Sequence, residues 1–208
     1  MPALFFLFIG VLFASIGSVE TPASGNVAVI PIQGVLMTAG NPWDSSITSS
    51  ASLVEQIQDV GNNKKIKAVI FEINSPGGSG VASDEIATAI KNLDKPTVSY
   101  IREVGASGGY WVASASDYIL ANKFSTVGSI GVIASYLEFS GLLEDYNVTY
   151  QRFVAGENKD FGSPFREPTK EERDHYQDLL NSLHQIFIEE VAENRGMPVK
   201  DVQELADG

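Results

Sequence analysis

The residues best able to do covalent chemistry lie in two glycine-rich corners. Gly105-Ala106-Ser107-Gly108-Gly109 presents one hydroxyl among residues with almost no side chains. A substrate backbone therefore has room to approach Ser107, and the N–H of Gly108 faces the same space. Asn74-Ser75-Pro76-Gly77-Gly78 stands between an apolar run and a helical pattern, where glycines let backbone N–H groups point outward toward an anion. Each corner also has a plainer reading: Ser107 as the N-cap of the following helix, and Asn74 to Gly78 as an ordinary strand-to-helix turn. The latter matches neither the P-loop, which needs a following Lys-Ser/Thr, nor GxGxxG. Together, at adjacent strand ends, the two corners supply a nucleophile and a place for an oxyanion.

A serine nucleophile needs a base, usually histidine. Only His175 and His184 are present, both on a long acidic helix where a surface or core-edge role is the simpler assignment. Lysine is the other candidate. Lys64, Lys65, Lys67, Lys91 and Lys95 fall at helix ends or strand approaches, where solvated cations are expected. Lys159 differs, because it sits in a loop of turn residues and aromatics, Gly156 to Arg166, that follows a predicted strand. A solvated loop lysine is its plain alternative. To act as a base near neutrality a lysine must be desolvated or lie near positive charge, with no free acid beside it. Phe161 and Phe165 can exclude water, and Arg166 can engage Asp160.

The elements that position these residues alternate between strand and helix. Val27–Ile32 reads as a strand whose Pro31 marks an edge or bulge. Ser52–Val60 is helical, with Leu53, Ile57 and Val60 at helical spacing. Ala68–Ile73 is a near-continuous apolar strand of the kind buried on both faces. A helix follows with Ile86, Ile90 and Leu93 in one stripe behind Ser83 and Asp84 as candidate caps. Thr97–Ile101 is a strand, and Tyr110–Ser116 the helix leaving the second corner. Asp117–Asn122, Gly128–Ile133 and Val148–Val154 are further predicted strands. Thr169–Arg195 is a long amphipathic helix with Tyr176, Leu180, Leu183, Phe187 and Val191 on its apolar face. This order predicts an α/β domain with its site at glycine corners on strand ends.

Composition narrows the function classes. The 208 residues carry 26 acidic and 14 basic side chains, a net charge of −12, and no cysteine. A thiolate zinc site, an iron–sulfur cluster, a disulfide and a cysteine nucleophile are excluded. No nucleic-acid partner is expected, since that affinity rests on phosphate neutralisation. Half of the acids lie from Glu157 to Gly208, the signature of a solvated helix face. Residues 1–19 hold no charge and are apolar all round, about the length that crosses a bilayer. They read as a membrane anchor or signal segment, residues 20–26 as a linker, and residues 27–208 as the folded domain. The segment lacks the basic residues that begin a signal peptide, which predicts natural chain before Met1.

The set NSPGG, GASGGYW, TVGSIGV and ENKDFGSPFRE, in that order, resembles the signal peptide peptidase A family of membrane-associated serine proteases. The resemblance runs from about Val27 to Gly208. It implies a Clp-protease/crotonase fold of repeated ββα units. It places the nucleophile on Ser107, the general base on Lys159, an assisting hydroxyl on Ser129, and the oxyanion donors on the N–H groups of Gly78 and Gly108. It further implies no metal or cofactor, a membrane tether with the protease domain outside the cytoplasm, signal-peptide remnants as substrates, and a homo-oligomer in which neighbouring subunits share the dyad. The family continues past the residues matching Gly208, which predicts truncation of the domain at that end. Two other readings stay open: an acyl-CoA hydratase-like enzyme of the same wider fold, needing neither Ser107 nor Lys159, and a catalytically silent membrane scaffold. Tyr110 and Trp111, beside the small glycine-lined corner, point to small or hydrophobic side chains in the specificity pocket.

Overall fold

The computed structural model describes residues 25–40, 44 and 46–208. The membrane segment and nearly all of the linker expected before Val27 lie outside the described residues. No helix among those described is long and apolar enough to cross a membrane.

The domain is α/β. Strands β1 (Val27–Met37), β2 (Ile47–Ser49), β3 (Ala68–Gly78), β4 (Thr97–Ala106), β5 (Tyr118–Ala121) and β6 (Thr126–Gly128) form one sheet in which every pairing is parallel. The order is β2-β1-β3-β4-β5, with β6 continuing beside the last residues of β4. Helices α1 (Ser50–Asn62), α2 (Gly80–Lys91) and α3 (Gly108–Ser114) cover one face of it. Ile30, Ile32 and Leu36 from β1, Val69, Phe71 and Ile73 from β3, and Ile101 from β4 bury against Leu53, Ile57, Ile86, Ile90 and Val112 of these helices. Helices α4 (Ser140–Asp145), α5 (Lys170–Arg195) and α6 (Val199–Leu205) follow. Phe187, Ile188, Val191 and Ala192 of α5 form a second core with Trp111, Ala87, Ile130 and Val202. The result is sheet, inner helices, outer helix, with α3 shared between two cores.

Several expectations change. β3 is buried on one face only: Val69, Phe71 and Ile73 are inaccessible while Ala68, Ile70 and Glu72 on the other face are half-buried. Its neighbour β1 leaves Val29 58% exposed on that uncovered face, because all three inner helices pack opposite. Asn74 to Gly78 is not a turn but the last residues of β3, since Val35 and Leu36 pair with Gly77 and Gly78. Pro31 lies where β1 pairs with β3 alone, so its missing N–H costs no ladder bond on the open side. Helix α2 is capped by Ser79, whose hydroxyl accepts from the Ala82 N–H, and Ser83 and Asp84 sit inside the helix. The strands expected at 128–133 and 148–154 do not form beyond Gly128. Ile133 is 84% and Phe153 89% exposed, and no described strand stands beside either segment to take their backbone hydrogen bonds. Helix α5 forms as expected, Thr169 and Glu172 making a reciprocal capping box and Gly196 closing its other end at φ +61°.

Candidate active site

The two glycine corners meet. Ser107 stands between the end of β4 and the start of α3 with φ +51° and ψ −126°, a conformation that side-chain-bearing residues seldom adopt. The surroundings enforce it: the Ser107 N–H donates to the Gly128 carbonyl at 2.8 Å, while its carbonyl accepts from Tyr110 and Trp111 N–H groups at 2.9 and 3.0 Å. Its hydroxyl does not cap the helix, which removes the plainer reading of this serine.

The β3 end crosses directly beneath. A β-carbon placed on Gly77, at φ +95°, would stand 2.6 Å from the Gly108 nitrogen and 2.9 Å from the Ser107 β-carbon. One placed on Gly108 would stand 3.4 Å from the Gly78 nitrogen and 2.2 Å from the Ser83 hydroxyl oxygen. Only glycine permits this approach, and it puts the backbone nitrogens of Gly78 and Gly108 beside the serine. Ser75, fully buried, holds the corner from below: its hydroxyl donates to the Gly34 carbonyl at 2.6 Å and accepts from the Gly77 N–H at 3.1 Å. In the sequence Ser75 was only part of the first glycine corner and Ser83 only a candidate helix cap, since nothing there separates a buried supporting serine from a turn or cap residue.

The corner opens into a cavity of about 500 Å³, a size suited to one or two side chains of a substrate. Ser107, Gly78 and Gly108 line one side, and Val81, Val132, Ile133, Leu183, Ile186 and Phe187 build apolar walls. Trp111 forms part of the lining and stacks on Phe187 with centroids 4.9 Å apart. Tyr110 packs against the second core and is not among the lining residues. Leu183 and Phe187 were legible only as the apolar stripe of a helix; that they face a cavity depends on where α5 docks.

Ser129 directly follows the Gly128 carbonyl that binds the Ser107 N–H; it is exposed, at φ +52°. Lys159 is not brought to this cavity. It lies exposed in the loop before α5, which docks on Tyr176 through Phe161, ring centroids 4.3 Å apart. The cavity wall begins seven residues farther along that helix, at Leu183, and at 1.5 Å per residue the two stations are separated by about 10–16 Å. Arg166 engages Asp160 in this loop, Nε to Oδ2 at 2.9 Å. His184 donates to or accepts from nothing at the serine: its Nε2 lies 3.0 Å from the Ile130 carbonyl, a core-edge contact. His175 packs edge-on against Phe161. No metal-binding cluster of His, Asp or Glu occurs among the described residues.

Comparison with known proteins finds peptidases. The family model of peptidase family S49 matches residues 89–208. A protein of Enterococcus faecium named putative signal peptide peptidase SppA is 36% identical over 194 residues, covering 91% of this chain and 56% of its own. A putative protease of Methanocaldococcus jannaschii is 37% identical over 157 residues, covering 74% of this chain and 50% of its own. The chloroplastic serine protease SPPA of Arabidopsis thaliana is 33% identical, covering 90% of this chain and 28% of its own. The chain thus spans about half the length, or less, of these curated relatives.

Proposed function

The chain belongs to peptidase family S49, and from that premise we propose that it is an endopeptidase with a Ser107–Lys159 dyad on a Clp-protease/crotonase-like fold. The observation that carries the reading is Ser107 itself: an uncapped hydroxyl held at φ +51° beside the Gly78 and Gly108 nitrogens, at the mouth of an apolar cavity. Backbone strain of this kind persists only where the surroundings over-determine it, and it aims the nucleophile.

In the proposed cycle the neutral Lys159 amine takes the Ser107 proton as Oγ bonds to the scissile carbonyl carbon. The carbonyl oxygen becomes an oxyanion held by the Gly78 and Gly108 N–H groups, donors fixed before reaction and so costing little reorganisation. The Lys159 ammonium then protonates the departing amine and the C–N bond breaks, leaving an ester on Ser107. Water attacks that ester, gives its proton to Lys159, and the proton returns to Ser107 as the acid product leaves. Ser129 is assigned as a hydrogen-bond partner that orients Lys159.

Because the lysine loop and the serine cavity sit at different stations along α5, the dyad is proposed to form between neighbouring subunits of a homo-oligomer. Exposed Leu137, Tyr146 and Phe153 supply apolar surface for such packing. Residues 1–19 are proposed to tether the chain to a membrane with the domain outside the cytoplasm. Membrane-proximal peptides, signal-peptide remnants among them, are the proposed substrates, following the name of the Enterococcus relative.

The test is covalent labelling. A fluorophosphonate should modify Ser107, and both Ser107→Ala and Lys159→Ala should abolish labelling and peptide cleavage. A hydratase-like enzyme or a silent scaffold needs no activated serine, so absence of labelling in assembled, membrane-extracted protein would favour those readings. For the tether, carbonate-resistant pelleting should be lost when residues 1–25 are removed; pelleting that persists would put the attachment elsewhere.

A further inference from the structure

The loop that carries Lys159 is pinned on both sides of the lysine. Arg152 grips the Asp160 carboxylate with two bonds, Nε to Oδ2 at 2.6 Å and Nη2 to Oδ1 at 2.7 Å, and the same Nη2 donates to the Glu157 carbonyl at 3.0 Å. Arg166 arrives from the other side: its Nε donates to Asp160 Oδ2 at 2.9 Å, and its Nη1 and Nη2 donate to Glu172 at 2.8 and 2.6 Å. Glu172 in turn accepts from the Thr169 N–H at 2.8 Å, within the box that starts α5. Four alternating charges thus join the segment before the loop, the loop, the segment after it, and the first turn of the longest helix.

Packing reinforces the charges. Phe161 lies between Tyr176 and His175, and Gly162, at φ +75°, leaves room for the Tyr176 hydroxyl where a β-carbon would approach to 2.3 Å. Backbone turns close the loop, Lys159 N–H to the Gly156 carbonyl at 3.1 Å and Ser163 N–H to the Asp160 carbonyl at 2.9 Å. Among the described residues Lys159 enters no salt bridge.

Stability alone is a poor reason for this arrangement, since ion pairs near the surface contribute little apiece. Its chemical consequence is larger. Asp160 is the next residue to Lys159, and a carboxylate free to turn would hold the lysine in its charged, non-basic form. Here two guanidiniums take that carboxylate, Arg152 through a two-bond fork and Arg166 through its Nε. The remaining charged groups around the loop's cavity are Glu157 on the loop, Glu167 beyond it, and Glu171 and His175 on α5, all exposed to water, with Glu172 already paired.

We propose that Asp160, clamped between Arg152 and Arg166, is a positioning residue for Lys159: it fixes the loop that presents the amine while its carboxylate is kept away from that amine. The inference deepens the Ser–Lys reading and rests on it. The Arg152 and Arg166 side chains hold the Asp160 carboxyl well below its usual range, so the clamp stays charged wherever the enzyme is assayed.

The experiment follows the rate of fluorophosphonate labelling of Ser107 against pH in full-length protein, with peptide kcat/KM alongside. Arg152→Gln releases one oxygen of Asp160 and should move the acid limb to higher pH by roughly half to one unit, read as a roughly 3–10-fold loss at neutral pH that is recovered in alkali. Asp160→Asn leaves Arg152 without a carboxylate partner, while Arg166 keeps Glu172, and should move the limb the opposite way, with a lower plateau because the clamp is gone. Asp160→Glu should restore part of the plateau. Arg152→Lys keeps the charge but loses the fork, so its limb should stay in place while its plateau falls; it also serves if Arg152→Gln proves unstable. Equal loss at every pH in Arg152→Gln and Asp160→Asn, or unchanged profiles, would overturn the proposal. Wild-type labelling in Lys159→Ala is a separate result, and it would remove the dyad reading instead.

Discussion

The serine corner and the lysine loop are built by different physics. Ser107 is fixed by backbone: two strand ends touching through glycines, a carbonyl from Gly128, and a helix start, all backed by buried Ser75 and by both hydrophobic cores. The lysine loop is fixed by side chains, through the Arg152–Asp160–Arg166–Glu172 chain and an aromatic stack on Tyr176. It lies within residues 129–168, which contain one six-residue helix and no strand, and which leave Phe153 and Ile133 almost wholly exposed. A nucleophile must hold one geometry to within a fraction of an ångström, which close-packed backbone supplies. The lysine loop instead gains a rigid local platform from a surface ion network, without a core. The apolar residues left uncovered around that platform mark where the remaining packing is expected to come from.

The strongest way to break this contrast is to separate its halves. Ser107→Ala and Lys159→Ala should each lower turnover by on the order of 10⁴-fold, and co-assembling the two inactive proteins should restore a fraction of the sites if the dyad is shared. Co-assembled mixtures that stay inactive would place both groups in one subunit. A second measurement compares two phenylalanines by denaturant unfolding. Phe187→Ala deletes a buried ring stacked on Trp111 and should cost about 3–5 kcal/mol. Phe153→Ala, at 89% exposure, should fall within about 0.5 kcal/mol in dilute, dissociated protein. It should instead weaken assembly measured by sedimentation; a large stability loss in the monomer would show that the segment is packed by its own chain.

A smaller effect is expected from Gly77→Ala, which places a β-carbon against the Gly108 nitrogen at a left-handed φ and should destabilise by about 1–3 kcal/mol while slowing labelling of Ser107. The smallest concerns the cap. Thr169→Ala should cost about 1 kcal/mol by thermal unfolding. For Glu172, the Arg166 guanidinium lowers the carboxyl from 4.5 to about 2, so its contribution is complete above pH 4.5 and is lost as the pH falls toward 2. The stability gap between wild type and Glu172→Gln should therefore be flat above about pH 5 and close on acidification; a gap that widens in acid would mean the pair is not formed in solution.

How much of this was legible in the residues depends on whether the determining interaction is local. The α5 start was readable because Thr169 and Glu172 stand at capping-box spacing, and its apolar stripe because a helix repeats every 3.6 residues. β1, β3 and β4 were readable as apolar runs and the Ser107 corner as a break between strand and helix, whereas Asn74 to Gly78, read as a turn, is the paired end of β3. The runs at 128–133 and 148–154 carry the same β-like pattern and form no strand beyond Gly128, because a strand exists only beside a partner and none of the described strands reaches them. The cap of α2 was misplaced by four residues, Ser83 for Ser79, since three serines near one helix start are equivalent until the backbone chooses.

The amino-acid order by itself determined which residue types stand at each corner: the lone hydroxyl of Ser107 between glycines, the absence of any early histidine, and a lysine in a turn-rich loop flanked by Asp160 and Arg166. These are covalent neighbours, set by the chain whatever it does next. Only the tertiary structure decided that Gly77 and Gly78 lie against Ser107 and Gly108, residues some thirty positions apart that meet because β3 and β4 pair in parallel and finish at the same end of the sheet. It likewise decided that Leu183 and Phe187 wall a cavity, that Asp160 is held by two arginines, and that Lys159 is not among the residues lining the Ser107 cavity. Such placements depend on strand order and helix docking, which sum many weak contacts across the molecule and leave no trace in the spacing of any one segment.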